Sequence, residues 1–176
     1  MRYRPHDYQR YAADFIKNHP IAALLLSMGL GKTSITLTAI NDLLFDSFEV
    51  SRVLVIAPIR VTRVWAEEIE KWDHLRGLTY SIAVGTAEER KTALSRKADI
   101  YIINRENVGW LIDEMPFDFD MIVIDELSSF KNHQTKRFKA LMKARPKAKH
   151  IVGLTGTPTG NGLMDLYAEF RLLDMG

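Results

Sequence analysis

The stretch Leu24-Leu25-Leu26-Ser27-Met28-Gly29-Leu30-Gly31-Lys32-Thr33 constrains the fold more than any other part of the chain. Residues 21–26 are an apolar run with the length of a buried strand, and residues 33–45 read as a helix. A turn holding two glycines must join them. Strand, glycine-bearing turn ending Gly-Lys-Thr, then helix is the arrangement that takes up the phosphates of a nucleotide. Gly29 and Gly31 let the backbone curl until successive N–H groups face an anion, and the helix adds the positive end of its dipole. Lys32 is placed to reach β- and γ-phosphates, and the Thr33 hydroxyl to ligate Mg²⁺. The strict pattern opens with glycine where this chain has Leu26. A second site must therefore supply the metal and the base.

Met121-Ile122-Val123-Ile124-Asp125-Glu126 meets that requirement. An apolar strand that ends in two acids is costly unless the charges meet a cation or water. In a nucleotide site, Asp125 would hold Mg²⁺, usually through a water, and Glu126 would orient and deprotonate the attacking water. The two motifs together point to binding of ATP or GTP.

The remaining pattern supplies a frame for both. Pro5 opens a helix with Tyr8, Tyr11, Ala12, Phe15 and Ile16 at helical spacing and Gln9 on its polar side. Further strands are expected at 52–58, 79–84, 99–103, 121–124 and 150–154. Between them, Val61, Val64, Trp65, Ile69 and Trp72 mark one helix face, and Thr86 with Glu89 forms a capping box. Asn104 is placed to cap a short helix through Trp110, and residues 135–144 form a basic helix with Phe138, Leu141 and Met142 inward. Leu163, Leu166, Tyr167 and Phe170 give a last amphipathic helix. Apolar strands alternating with helices predict an α/β fold, a mostly parallel sheet with helices on both faces, in one domain over residues 1–176. Ligands of such sheets bind at the carboxyl ends of the strands. Gly29 to Thr33, Pro58, Asn104, Asp125, Glu126 and Thr155-Gly156-Thr157 all fall there.

Other chemistries are poorly served. The chain has no cysteine, and His6, His19, His74, His133 and His150 show no metal-ligand spacing. No apolar run reaches the length of a membrane span, and the N-terminus lacks the apolar core of a signal peptide. A cytoplasmic location with no membrane partner is the expectation. The net charge of +2 is unevenly placed. No acid occurs between Leu127 and Met164, whereas Lys131, Lys136, Arg137, Lys139, Lys143, Arg145, Lys147 and Lys149 do. Removing those eight from the 24 basic residues leaves 16 against 22 acidic ones. Such a stretch is either a side facing a polyanion or a solvated helix face.

Taken together, these motifs resemble the first RecA-like lobe of superfamily-two helicases, and more narrowly the Swi/Snf-type DNA translocases. Met28-Gly29-Leu30-Gly31-Lys32-Thr33 matches that family's phosphate loop outright, and Pro5-His6-Asp7-Tyr8-Gln9 is similar to its glutamine motif. The resemblance implies that Gln9 reads adenine, favouring ATP over GTP. Ala57-Pro58 with Val61, Trp65, Glu68 and Lys71-Trp72 is similar to the next motif, which tracks one DNA strand. It implies backbone contacts at Pro58, Arg60, Thr62, Gly85, Thr86 and Asn104. Asp125-Glu126 followed by Lys131-Asn132 matches the acidic motif, although Leu127-Ser128 stands where Ala-His is common. Leu154-Thr155-Gly156-Thr157-Pro158 with Asn161 matches the motif that couples nucleotide to nucleic acid, and the residues from Leu163 to Tyr167 resemble the helix that closes the lobe.

The implied activity is DNA-dependent ATP hydrolysis, with Lys32, Asp125 and Glu126 as catalytic residues, Mg²⁺ on Thr33 and Asp125, and sequence-tolerant contact with duplex DNA. Such motors complete their site with arginines from a second RecA-like lobe, and nothing of that kind follows in this sequence. Two expectations stay open: a lobe that turns over only with a second lobe supplied by a longer chain or another polypeptide, and a non-catalytic nucleotide- and DNA-binding module.

Overall fold

Burial alternates along the strands, residue by residue. In β2 (Val53–Ala57) the side chains of Val53, Val55 and Ala57 enter one apolar core, and those of Leu54 and Ile56 enter another. The same division runs through β4 (Ile100–Asn104) and β5 (Met121–Asp125). A strand buried on both faces has to be apolar throughout, as these are, and its sheet has to be covered on both sides. The structure, a computed structural model, describes residues 1–130, 135–156 and 173–174.

Six strands form one all-parallel sheet in the order β1-β6-β5-β2-β4-β3, with β1 at Ile21–Leu25, β3 at Tyr80–Ala83 and β6 at His150–Thr155. Helices α1 (Asp7–Asn18), α2 (Lys32–Phe45) and α3 (Thr62–Lys71) cover one face through Ile16, Ile35, Leu37, Ile40, Trp65 and Ile69. Helices α4 (Ala87–Ser95), α5 (Val108–Glu114) and α6 (Lys136–Ala144) cover the other through Leu94, Val108, Leu111, Phe138 and Leu141. Val55 is in register with Ile102 on one side and Val123 on the other. Each such buried aliphatic side chain is worth about 1.5–3 kcal/mol, so this row alone fixes the register.

Several expectations need correction. Among the described residues β1 is an edge strand, as β3 is at the other side, and only its Ala22 and Leu24 are buried, while Ile21 and Leu25 are 44% and 53% exposed. An edge strand has one face and one side open, so an apolar run there is not a buried strand. In α1 the buried stripe is Ala12, Ala13 and Ile16. Tyr11 is 73% exposed, because the helix lies against α2 by its small residues. Val64 faces out of α3. Asn104 makes no cap; its amide donates to Glu106 and its carbonyl accepts from Asn107. Arg145 does not belong to a basic surface. It is buried, its guanidinium donating to the carbonyl of Leu173 at 2.7 and 3.0 Å and to that of Ala148 at 3.1 Å. The Thr86–Glu89 capping box forms as expected, with both of its hydrogen bonds present. Residues 163–170, expected as the last helix, lie outside the described residues.

Two histidines fold neutral. Burial holds both His74 and His150 below the ordinary value of 6.5, the carboxylates near each offsetting only part of that cost. His74 meets the Thr38 hydroxyl at 2.9 Å, and His150 faces Glu49 at 3.5 Å. Below about pH 6.5 the unfolded chain binds protons that the folded one resists, so this stability is full above that pH and is lost as pH falls through the folded values. Thermal denaturation between about pH 7.5 and pH 5.5 should therefore show a smaller drop in Tm for the His74→Gln/His150→Gln variant than for the parent. Equal drops would contradict the assignment.

Candidate active site

The turn after β1 is built by two left-handed glycines. Gly29 has φ 84° and Gly31 φ 83°, values that a residue with a Cβ adopts only under strain. A Cβ at Gly31 would also lie 2.6 Å from Gln9 Nε2 and so push the Gln9 amide from its place on the loop. The loop is held from both sides. Leu26 N–H donates to the Thr155 carbonyl at 3.2 Å, while Tyr8 Oη and Gln9 Nε2 donate to the Leu30 carbonyl at 2.9 and 3.3 Å. The Gln9 side chain thus braces the loop, and its Oε1 accepts from His6 N–H at 2.9 Å.

α2 begins at Lys32 with no side-chain cap and no acid in its first turn, so the positive end of its dipole is uncompensated. Lys32 Nζ turns back into the loop and donates to the carbonyls of Leu26 at 2.5 Å and Ser27 at 3.2 Å. The Thr33 hydroxyl has no hydrogen-bond partner among the described residues. An uncapped helix start, an ammonium resting on its own loop and an unpartnered hydroxyl fit a phosphate with its metal.

The acidic strand end faces this loop. Asp125 closes β5, and Trp65 Nε1 donates to its Oδ2 at 2.9 Å. Burial raises its pKa above the ordinary 3.8, against the opposing pull of the Trp65 hydrogen bond and the Lys32 charge. A half-buried carboxylate so placed, with a hydroxyl across the cleft, is a hard oxygen donor set of the type Mg²⁺ takes. Glu126 turns the chain with φ 56°, a conformation uncommon outside glycine and found where a site demands it. The turn carries its carboxylate to Arg60, 3.1 Å away, and Arg105, 3.6 Å away.

These groups share one cleft of about 790 Å³. Its walls include Gln9, Met28, Gly29, Gly31, Lys32, Thr33, Arg60, Asp125, Glu126, Thr155 and Gly156. Leu30 stands beside it and contributes its carbonyl to the brace on the loop. Pro58, Thr62, Gly85, Thr86 and Asn104 are not in the cleft and follow the ends of β2, β3 and β4 on the same edge of the sheet. Thr62 is buried with its hydroxyl on the Ile59 carbonyl, and Thr86 caps α4. Thr157, Pro158, Asn161, Lys131 and Asn132 lie outside the described residues. The roles of two contributors escaped the sequence reading. Trp65 reads as core and, by the resemblance, as part of the DNA-tracking motif, and its helical spacing says nothing of where its indole N–H points. Arg105 was signalled by its place just after a strand end, beside Asn104.

A family model described as the SNF2-related domain matches residues 14–176. The chain belongs to the SNF2-related family. Among solved structures, the Sulfolobus solfataricus SWI2/SNF2 ATPase core in complex with dsDNA superposes with a TM-score of 0.85 at 29% identity, covering 99% of this chain and 36% of that one. The putative protein p41 of Acyrthosiphon pisum secondary endosymbiont phage 1 is 35% identical over 99% of this chain and 40% of its own length. A SWI/SNF-related matrix-associated actin-dependent regulator of chromatin subfamily A-like protein 1 of Xenopus tropicalis is 30% identical over 92% of this chain and 16% of its own length. This SNF2-family chain thus spans two-fifths or less of the length of these relatives. Its fold is that of the RecA-like lobe of the SNF2 ATPase core. No helix among the described residues is long and apolar enough to cross a membrane.

The left-handed turn at Glu126 gives a stability prediction. Glu126→Gly should be more stable than Glu126→Ala by about 0.5–1 kcal/mol, the relieved strain less the entropy that glycine adds to the unfolded chain. Urea denaturation of the two variants measures it, and an alanine variant equal to or above the glycine variant would contradict the strain.

Proposed function

We propose that this chain is the ATP-binding lobe of a SNF2-type DNA-dependent ATPase that moves along duplex DNA. The observation that carries the reading is the meeting of the Lys32 ammonium, the uncapped start of α2 and the half-buried Asp125 carboxylate in one cleft. On binding of ATP, Lys32 leaves the Leu26 and Ser27 carbonyls for the β- and γ-phosphates, and the N–H groups of residues 29–33 take up the remaining phosphate charge. Thr33 and Asp125 would hold Mg²⁺, which supplies neutralisation of the phosphate charge during transfer. Trp65 fixes the Asp125 carboxylate, and Glu126 orients the attacking water and accepts its proton. Gln9 reads adenine with the lone pair and N–H left over from its contacts to His6 and Leu30. Thr155, Gly156 and Thr157 couple the nucleotide to DNA held along the strand ends. Contacts there from Pro58, Arg60, Gly85 and Thr86 go to phosphates, whereas Thr62 and Asn104 are buried behind them, so affinity is tolerant of sequence and sensitive to salt.

A second RecA-like lobe, in a longer chain or a separate polypeptide, supplies the arginines that complete the γ-phosphate site. Such arginines are worth about 10³–10⁵ in rate, or about 4–7 kcal/mol of barrier. A second reading, a nucleotide- and DNA-binding module without turnover of its own, is favoured by the engagement of Glu126 with Arg60 and Arg105.

Calorimetry should show Mg·ATP binding to the 176-residue chain, its loss in Lys32→Ala, and a weaker preference for adenine over guanine in Gln9→Ala. Unchanged affinity in Lys32→Ala would remove the phosphate-loop assignment. Phosphate release by the same chain should be very slow, with little response to duplex DNA, and a second lobe added in trans should raise it until Glu126→Gln abolishes it. Rapid DNA-stimulated release by the chain alone would overturn the two-lobe requirement, and a complemented lobe that stays silent would favour the second reading.

A further inference from the structure

Glu126 is gripped from two neighbouring strands. Its Oε1 accepts from Arg60 Nη2 at 3.1 Å, and its Oε2 lies 3.6 Å from Arg105 Nη1. Arg60 follows β2 and Arg105 follows β4, strands that pair side by side, so two adjacent loops of the sheet's carboxyl edge each send a guanidinium to one carboxylate. Arg60 is part of the cleft wall and Arg105 is not. The carboxylate therefore stands between the cleft and the outer rim of the strand ends.

The grip is made to be exchanged. The Arg60 side chain is 73% exposed and that of Glu126 43%, while Arg105, 24% exposed, meets Glu126 at 3.6 Å without a hydrogen bond and donates its Nε to Glu106 Oε1 at 3.2 Å. Pairs so exposed contribute little in water. A phosphodiester offers each guanidinium a shorter, bidentate partner.

From this geometry we infer that Arg60 and Arg105 are positioning residues shared between Glu126 and the backbone phosphates of duplex DNA. Without DNA they hold the Glu126 carboxylate at the rim; phosphates that take both arginines release it towards the cleft. The inference rests on Glu126 being the group that orients water. A nucleotide phosphate offers the same chemistry, but Arg105 stands outside the cleft wall. The exchange is reciprocal, as any coupling between two sites must be. Whatever the phosphates gain from the arginines is diminished by what Glu126 held, so neutralising Glu126 must strengthen DNA binding even with no nucleotide present.

The test measures binding of a fluorescent duplex to the whole chain without nucleotide, over a salt series. Glu126→Gln should tighten binding about 3–10-fold, the loss of two exposed pairs. Arg60→Ala and Arg105→Ala should each weaken binding and flatten the plot of log K against log salt by about 1. In the Arg60→Ala/Arg105→Ala background, Glu126→Gln should change nothing, whereas Arg105→Lys should keep part of its effect. Glu67→Gln removes the same charge from the exposed face of α3 and should shift binding less than twofold. An unchanged affinity in Glu126→Gln, or a gain that survives loss of both arginines, overturns the exchange while leaving the DNA reading intact. No salt-dependent binding by parent or variant overturns both. Tightening by Mg·ATP that requires Arg105 would assign the arginines to the nucleotide instead.

Discussion

Six parallel strands must all leave the sheet by the same edge, and most of the chemistry of this chain follows from that constraint. Each crossover helix returns the chain to the opposite edge, so the loops after β1, β2, β4, β5 and β6 are gathered together although they are far apart in sequence. Burial on both faces keeps the central strands β2 and β5 apolar up to their carboxyl ends, where the polar side chains gather. Lys32, Arg60, Arg105, Asp125, Glu126 and Thr155 are therefore neighbours by topology before any ligand is considered.

The core carries the cost of what stands at that edge. Asp125 is half-buried and held by one indole N–H, and Glu126 occupies a left-handed conformation. Left-handed strain in a residue with a Cβ costs roughly 1–2 kcal/mol, and a row such as Val55, Ile102 and Val123 outweighs it several times over. The link from Trp65 to Asp125 ties α3 to β5, so the helix after the second strand is mechanically joined to the acidic strand end. The link from Gln9 and Tyr8 to Leu30 does the same between α1 and the phosphate loop. Motifs distant in sequence are thus braced against each other by single hydrogen bonds.

The fold was legible because apolar runs and amphipathic helices are local signals, and the strand ends fell where those runs stopped. The capping box at Thr86 was legible for the same reason. What escaped reading depended on neighbours. An apolar run such as residues 21–25 does not disclose whether its strand is central or at an edge. Tyr8 and Tyr11 fitted a helical stripe, yet the small residues Ala12 and Ala13 were the ones that let α1 approach α2. Arg145 was counted as surface charge, and only the fold brings it to the Leu173 carbonyl. The glycine turn after β1, Asp125 and Glu126 were readable as types at strand ends, whereas the grip of Arg60 and Arg105 on Glu126 needed the pairing of β2 with β4.

The central claim is that Lys32, resting on the carbonyls of its own loop, is the cation kept for a nucleotide's phosphates. A crystal structure of the chain with Mg·ADP tests it most directly. The account predicts the diphosphate within the loop of residues 28–33, with Lys32 Nζ withdrawn from the carbonyls of Leu26 and Ser27 and bonded to a phosphate oxygen. A nucleotide bound elsewhere, or a Lys32 that stays on those carbonyls beside a bound diphosphate, would contradict it.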